Sequence, residues 1–168
     1  MFQTYLTRTA GFALLVVMQV FVFNHVHLFG YATPLPYIYF LLTLSSTTPR
    51  WAYVVLGFAL GLLVDLFTNT PGMAAGATCL LGLLLPFLLQ LFGPADSDDE
   101  PFTPSPGSME WGPFLRYVFV ASLVQCGAFF TIESFSFSAW QGLLATVGAS
   151  TLLTALLLLS IHLISHKQ

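Results

Sequence analysis

Apolar runs along the chain alternate with short polar breaks, and this pattern divides the sequence into six segments. Five of them are long enough to cross a hydrocarbon core of about 30 Å as helices. The pattern therefore predicts one all-α domain, residues 1–168, built as a bundle of about six transmembrane helices. The segments are, in order, Thr9 to Phe29, Leu35 to Leu44, Trp51 to Phe67, Gly72 to Phe92, Phe114 to Phe137 and Trp140 to Ile164.

The second segment is shorter than the other five. Its apolar stretch has about ten residues, is entered through Pro34 and Pro36, and ends in a polar run that leads to Arg50. A helix of that length is too short to cross the membrane. We therefore expect this segment to be tilted, bent at its prolines or partly buried by its neighbours.

Composition explains the scarcity of polar breaks. Only 7% of the residues are charged and 57% are apolar, whereas a soluble domain carries about 25% charged residues. The surface is therefore expected to face lipid. Four Lys and Arg residues at a net charge of −3 are too few for a nucleic-acid surface.

The basic residues predict the orientation. Six crossings place Arg8, Arg50, Arg116 and Lys167 on one side, which the positive-inside rule makes cytoplasmic. No small-x-small cleavage site follows the first segment, so we expect it to be retained. The protein is thus predicted to be a multi-pass membrane protein with both termini in the cytoplasm.

A different composition marks residues 93–113. This stretch holds five of the seven acidic residues and five of the ten prolines. Such a segment has too few apolar residues to pack a core. It is predicted to be a mobile cytoplasmic loop, and docking of a basic partner is the less favoured function for it.

The third segment carries an acid inside the membrane. Gly57, Gly61 and Asp65 are spaced i, i+4, i+8, so they share one helix face on which another helix can approach closely. An acid at mid-membrane costs about 2.5–3.5 kcal/mol on insertion scales, which favours a partner or a function for it. The alternative is that Asp65 lies near the outer end of its helix and caps the turn from Asn69 to Gly72.

A second acid and two histidines are expected at the same level. Glu133 ends a polar stripe that also contains Ser122 and Gln125, and the predicted topology places it in the outer leaflet. His25 and His27 end the first segment there as well. These residues, together with Asn24, Asp65 and Asn69, form a candidate site near the extracytoplasmic side.

Catalytic and metal constellations are not evident. Asp65 is the only aspartate in the predicted membrane segments, so the pair that an intramembrane aspartyl protease needs is missing. The sequence also contains no nucleophile elbow and no metal-ligand spacing. His162 and His166 share a helix face without a carboxylate or thiol nearby. Thr146, Ser150 and Thr154 form a stripe that usually hydrogen-bonds one helix to another. We expect no enzymatic activity, no cofactor and no metal.

Several motifs together resemble a known family. The glycine-rich third segment with Asp65, followed by Asn69-Thr70-Pro71-Gly72-Met73-Ala74-Ala75, is similar to the Gly-Leu-x-x-Asp…Gly signature of MreD, the rod shape-determining membrane protein. The stretch from Asn24 to Pro34 looks like the first loop of that family, and Tyr37-Ile38-Tyr39-Phe40-Leu41-Leu42 looks like the family's segment after that loop.

This resemblance implies a function that composition and spacing do not show. MreD proteins are similar in fold to the substrate-binding components of energy-coupling-factor vitamin transporters. They are non-enzymatic scaffold subunits of the machinery for cell elongation and lateral peptidoglycan synthesis, so the implied location is the bacterial cytoplasmic (inner) membrane. The implied partner is the membrane segment of MreC, and through it MreB, RodA and a class B penicillin-binding protein. The expected contact face for MreC is Gly57, Gly61 and Asp65, with Glu133, His25 and His27 nearby.

A different class of function stays open. The same helical bundle would suit a transporter component that captures a small molecule at the outer-leaflet cluster. Small-residue docking motifs on the first helix would favour transport, and the run from Ala10 to Phe23 shows none of strength.

Overall fold

A computed structural model describes residues 33–94, 101–134 and 140–165. The described residues form helices and contain no strand. We number the α-helices in chain order. They are α1 Tyr39–Leu42, preceded by a 3-10 turn at Pro36–Ile38, then α2 Arg50–Thr68, α3 Met73–Phe92, α4 Pro106–Met109, α5 Trp111–Ser134 and α6 Trp140–Ser165.

Four of these helices are long and apolar enough to cross a membrane. They are α2, α3, α5 and α6, with mean hydropathies between 1.6 and 2.0 over the spanning stretch. They coincide with the last four predicted segments, and the prediction of a multi-pass α-helical membrane protein is confirmed to that extent. The first predicted segment, Thr9 to Phe29, lies outside the described residues. The count of six and the likeness to energy-coupling-factor components therefore stay predictions.

The second predicted segment does not form a spanning helix. After the prolines it makes a single 3-10 turn and then the short helix α1. Pro36 occupies the first turn, where its missing N–H costs no helical hydrogen bond. Tyr37, Ile38 and Leu41 are fully buried. We call residues 33–45 the bent segment; its position among the long helices explains how so short an apolar stretch is kept from lipid.

The long helices pack in sequence order around this segment. α2 lies along α3, α3 along α5, and α5 along α6. Side chains from all four contribute to one buried cluster with the bent segment, including Leu60, Leu81, Tyr117 and Leu158. Their outer faces carry exposed apolar side chains such as Leu66, which suit contact with lipid.

Part of the loop after α3 contacts the bundle. Phe102 and Ser46 form a reciprocal pair, since Ser46 N–H donates to the Phe102 carbonyl at 2.9 Å and Phe102 N–H donates to Ser46 Oγ at 3.1 Å. Ser105 caps α4 through a capping box, and Met109 is buried. These contacts lie in residues 101–110, and the mobility predicted for 93–113 stays a prediction.

The two ends of the bundle can be distinguished by contacts. At one end, the Phe114 ring at the start of α5 lies 4.9 Å from the His162 ring near the end of α6, measured between centroids. At the other end, a Cβ added to Gly76 would lie 3.3 Å from Ile132. α3 therefore starts beside the end of α5. The four long helices therefore alternate in direction, and Asp65 and Glu133 lie toward the same end of the bundle. The predicted orientation in the membrane stays a prediction.

Candidate functional site

The Asp65 carboxylate lies in the turn between α2 and α3 and is almost completely buried, with 3% of its surface exposed. Oδ1 accepts hydrogen bonds from Thr70 Oγ1 and from the backbone N–H of Ala74, both at 2.9 Å. Oδ2 accepts from the N–H groups of Ala75 at 2.9 Å and Gly72 at 3.1 Å. Both carboxylate oxygens therefore have two donors each.

These bonds make Asp65 the cap of α3. Ala74 and Ala75 are the second and third residues of that helix, and their N–H groups have no carbonyl acceptor within the helix. Gly72, at the cap position, has no side chain to supply one. A carboxylate from the preceding helix fills this role, and its negative charge suits the positive end of the helix dipole.

The backbone of the turn brings the carboxylate into place. α2 ends at Thr68, and the cap residue Asn69 that follows adopts the left-handed conformation with φ 55° and donates its N–H to the Asp65 carbonyl. Asparagine tolerates this conformation better than most residues. Gly72 also has a positive φ, 86°, which favours glycine. The short reversal returns the chain toward the end of α2 within reach of Asp65.

Gly57 and Gly61 set the distance between α2 and α3. A Cβ at Gly57 would lie 2.5 Å from the Thr78 carbonyl oxygen, and one at Gly61 would lie 2.5 Å from the Ala74 carbonyl oxygen. Those atoms belong to backbone, which cannot move aside without shifting α3. On the opposite helix, Gly82 makes a similar close approach to Tyr53. Small residues on both helices thus allow close backbone packing.

The face predicted from Gly57, Gly61 and Asp65 therefore makes its close contact within the chain. The capping alternative for Asp65 describes the geometry that the structure shows. A partner-binding role for these three residues stays a prediction, and in the described structure their direct contacts are with α3. We call α2, α3 and their connecting turn the Asp65 hairpin.

The other predicted site residues are placed differently. Glu133 lies near the end of α5, is exposed, and supplies none of the hydrogen bonds to Asp65. His25 and His27 lie outside the described residues. The structure thus places Asp65 and Glu133 toward the same end of the bundle without joining them, and the predicted cluster stays a prediction.

The polar stripe on α6 binds the bent segment. Ser150 Oγ accepts the N–H of Thr33 at 3.0 Å, and Thr154 Oγ1 accepts that of Leu35 at 3.1 Å. Irregular backbone at membrane depth needs such acceptors, because lipid offers none. The sequence predicted hydrogen bonding by this stripe between helices. Thr154 makes one such contact, to the Cys126 thiol of α5, and the stripe also binds the backbone of the bent segment, which was not foreseen.

Two tyrosines bind the other end of the bent segment. Tyr117 OH donates to the Leu42 carbonyl at 3.3 Å, and Tyr53 OH donates to the Ser45 carbonyl at 2.9 Å. Leu42 is the last residue of the short α1 and Ser45 comes three residues after it, so their carbonyls have no continuing helix to supply donors. Side chains from α2, α5 and α6 therefore hold both ends of this segment. Sequence analysis missed both tyrosines, since nothing local to them signals a partner so distant along the chain.

A neutral polar cluster lies between the bent segment, α5 and α6. Gln125 Nε2 donates to Tyr37 OH at 2.8 Å, and the Cys126 thiol lies 3.8 Å from Thr154 Oγ1. The predicted stripe contained Gln125, and its partner Tyr37 was not foreseen.

His162 was considered above as a metal ligand, and its Nδ1 lies 3.3 Å from Tyr39 OH. Within the described residues, no three His, Cys, Asp or Glu side chains could hold a metal ion together.

Comparison with known proteins adds no relative. No family model, no curated protein and no solved structure matches the chain. The fold itself defines the class, a multi-pass α-helical membrane protein in which a buried segment with one 3-10 turn and one short helix lies among the long helices.

Proposed function

We propose that this protein is a non-enzymatic scaffold subunit of the bacterial cell-elongation machinery in the inner membrane. In this proposal it binds the membrane segment of MreC and, through MreC, is linked to MreB, RodA and a class B penicillin-binding protein. The motif resemblance to MreD suggests this assembly. The structure contributes an independent physical argument, which concerns how the intramembrane polar groups are used.

The observation that carries the proposal is the use of Asp65. An intramembrane acid is usually kept for a pathway, a proton relay or a partner. Here both carboxylate oxygens are occupied by donors from the turn and from α3. Ser150 and Thr154 are likewise bonded to backbone. Polar groups used to fix the backbone support a rigid scaffold better than a site that binds and releases a substrate.

The Asp65 hairpin gives the predicted contact residues a concrete role in the proposal. Gly57 and Gly61 allow α2 and α3 to pack closely, and Asp65 fixes the turn that joins them. A partner helix that docks on the bundle requires the two helices to keep their relative position. In this account the three residues support MreC binding by defining the shape of the hairpin.

The proposal is tested by co-purification of MreC with this protein in detergent. We compare the wild type with Gly61→Leu and Asp65→Ala, and the matched control is Gly148→Leu on α6. A Cβ at Gly148 would meet no atom within 4 Å, so this control adds the same side chain without a clash. We expect recovery of MreC to fall at least several-fold for the two hairpin variants and to stay unchanged for the control.

Thermal unfolding of each variant distinguishes a loss of MreC binding from a loss of folding. A hairpin variant that remains folded and monodisperse yet recovers less MreC supports the proposal. Full recovery of MreC with both hairpin variants would contradict the role of the hairpin. Failure of the wild-type protein to retain MreC at all would contradict the scaffold function itself.

A further inference from the structure

α3 extends well beyond the start of α2 at one end of the bundle. Gly82 of α3 makes its close approach at Tyr53 of α2. Arg50 comes three residues before Tyr53 and therefore lies opposite Leu85 in this antiparallel pair. α3 continues for seven residues beyond Leu85, to Phe92, which is about 10 Å of helix. The start of α2 is thus recessed from the end of α3.

The position of the Arg50 side chain agrees with this register. Its guanidinium carbon lies 5.8 Å from the centroid of the Phe87 ring, a distance typical of a cation–π contact. Leu91, one turn nearer the end of α3, is apolar and 72% exposed. The 20 residues of α3 make about 30 Å of helix, the thickness of the hydrocarbon core. The guanidinium therefore lies deeper than the end of α3, beside apolar surface that continues past it.

The charge of Arg50 is not compensated within the described part of the chain. Asp65 and Glu133 lie toward the other end of the bundle, and no ion pair joins Glu110 to the guanidinium. A guanidinium stacked on a ring uses its face, whereas its five N–H donors lie in its plane. None of these donors bonds to a described residue. An exposed charge at this depth needs an acceptor, because hydrocarbon supplies none.

The space beside Arg50 opens toward lipid. Its inner side is occupied by Phe102, whose N–H donates to Ser46 Oγ and whose ring would lie 3.1 Å from a Cβ added to Gly93. On the outer side, Arg50 and Trp51 are both exposed, and tryptophan is enriched at the headgroup level of a bilayer. A molecule from the bilayer can therefore reach the guanidinium.

We propose that the surface formed by Arg50, Trp51 and Phe87, which we call the Arg50 recess, binds the headgroup phosphate of an anionic phospholipid. Arginine can donate two parallel N–H groups to two phosphate oxygens. An anionic lipid also carries the net negative charge that this unpaired cation lacks, and a zwitterionic lipid does not. The exposed side chains of Phe87 and Leu91 offer apolar surface to its acyl chains.

The inference depends on α2 and α3 and is independent of the proposed function. In the predicted orientation the Arg50 recess faces the cytoplasmic leaflet, whose surface carries anionic lipid. The competing occupant is a group of acids in this chain that lie outside the described residues, at positions 96–100. The two occupants predict different behaviour in the tests below.

Native mass spectrometry of the protein released from nanodiscs of equal phosphatidylglycerol and phosphatidylcholine tests the proposal. We expect the wild type to retain phosphatidylglycerol at least several-fold more than phosphatidylcholine, and Arg50→Gln to lose this preference. Arg116→Gln is the matched control, because Arg116 is exposed at the same end and its substitution removes the same charge. Equal preference in Arg50→Gln and the wild type, or an equal loss in Arg116→Gln, would overturn the proposal.

A second variant distinguishes the lipid from the acids of the chain. If Asp98, Asp99 and Glu100 occupy Arg50, the wild type shows no lipid preference, and their replacement by Asn, Asn and Gln creates one. That result would overturn the proposal, whereas an unchanged preference in this variant supports it.

Thermal unfolding of the wild type in mixed micelles tests the same claim without a substitution. We expect added phosphatidylglycerol to raise the melting temperature more than the same amount of phosphatidylcholine, because a ligand of the folded state stabilises it. Equal shifts with the two lipids would contradict the proposal.

Discussion

The carboxylate of Asp65 lies 2.9 Å from the backbone nitrogen of Ala75, and this hydrogen bond joins the end of α2 to the first turn of α3. The other oxygen of the same carboxylate accepts the equivalent hydrogen bond from the Ala74 N–H at 2.9 Å. One buried side chain thus fixes both the turn and the start of the next helix. Substitutions at this cap and at the anchors of the bent segment therefore have effects of predictable sign.

Asp65→Ala is expected to destabilise the protein by about 2–3 kcal/mol, because it removes an acceptor from buried N–H groups of α3. Asp65→Asn keeps one acceptor oxygen but places an NH₂ donor against the N–H and O–H donors that the other oxygen accepts from. We therefore expect it to lower the free energy of unfolding nearly as much. Thermal unfolding in detergent measures both. Glu133→Ala is the control, since that carboxylate is exposed. Equal melting temperatures for Asp65→Ala and the wild type would refute the capping role.

Gly61→Ala and Gly127→Ala are expected to change stability in opposite directions. A methyl group at Gly61 would meet the backbone of Ala74 and Ala75 at 2.5 Å, and such overpacking costs about 1–3 kcal/mol. Gly127 has no atom within 4 Å of the added Cβ, so there alanine gains helix propensity of up to about 1 kcal/mol. Unfolding of the two variants side by side in one detergent checks this. A stabilised Gly61→Ala would show that the hairpin packs less closely than described.

Thr154→Val is expected to loosen the bent segment. The substitution keeps the side-chain shape and removes the acceptor of the Leu35 N–H, which lipid cannot replace. Hydrogen–deuterium exchange of a peptide covering residues 33–42 should become faster by about tenfold or more, since the lost bond contributes roughly 1–3 kcal/mol. Thr146→Val, at the half-buried start of the same stripe, provides the matched control. Unchanged exchange in Thr154→Val would contradict the anchoring.

Ser46→Ala is expected to release residues 101–110. Ser46 Oγ accepts the Phe102 N–H at 3.1 Å, and its loss leaves only the backbone bond of the pair. Limited proteolysis with a protease of broad specificity should cut this stretch several-fold faster than in the wild type. Thr47→Ala is the control, because Thr47 is exposed and bonds to Ser45 and not to the loop. Equal cleavage rates would show that Phe102 is held by other contacts.

Sequence patterns predicted the parts of this structure that depend on local periodicity. The four long helices begin and end within a few residues of the predicted segments, because apolar length determines a membrane span. The spacing of Gly57, Gly61 and Asp65 correctly predicted one close-packed face. The short apolar stretch and its prolines likewise left three possibilities for the second segment, a tilted, a bent or a partly buried one, and the structure shows it buried, with a 3-10 turn after the prolines.

The pattern could not identify the partners of those features. The spacing of Gly57 and Gly61 is the same whether the neighbouring helix belongs to this chain or to another. Gln125 and Tyr37 are 88 positions apart, and no local signal connects them. The contacts of Phe102 and Met109 were not foreseen for a similar reason, because their partners are distant in the sequence and composition does not reveal them.

The central claim, that this protein binds the membrane segment of MreC, is tested most directly by energy transfer in nanodiscs. A donor on this protein and an acceptor on a synthetic peptide of that segment report binding as the peptide is titrated. We predict saturable energy transfer that an unlabelled copy of the peptide competes away. Energy transfer no greater than that of an unrelated transmembrane helix of equal length would contradict the account.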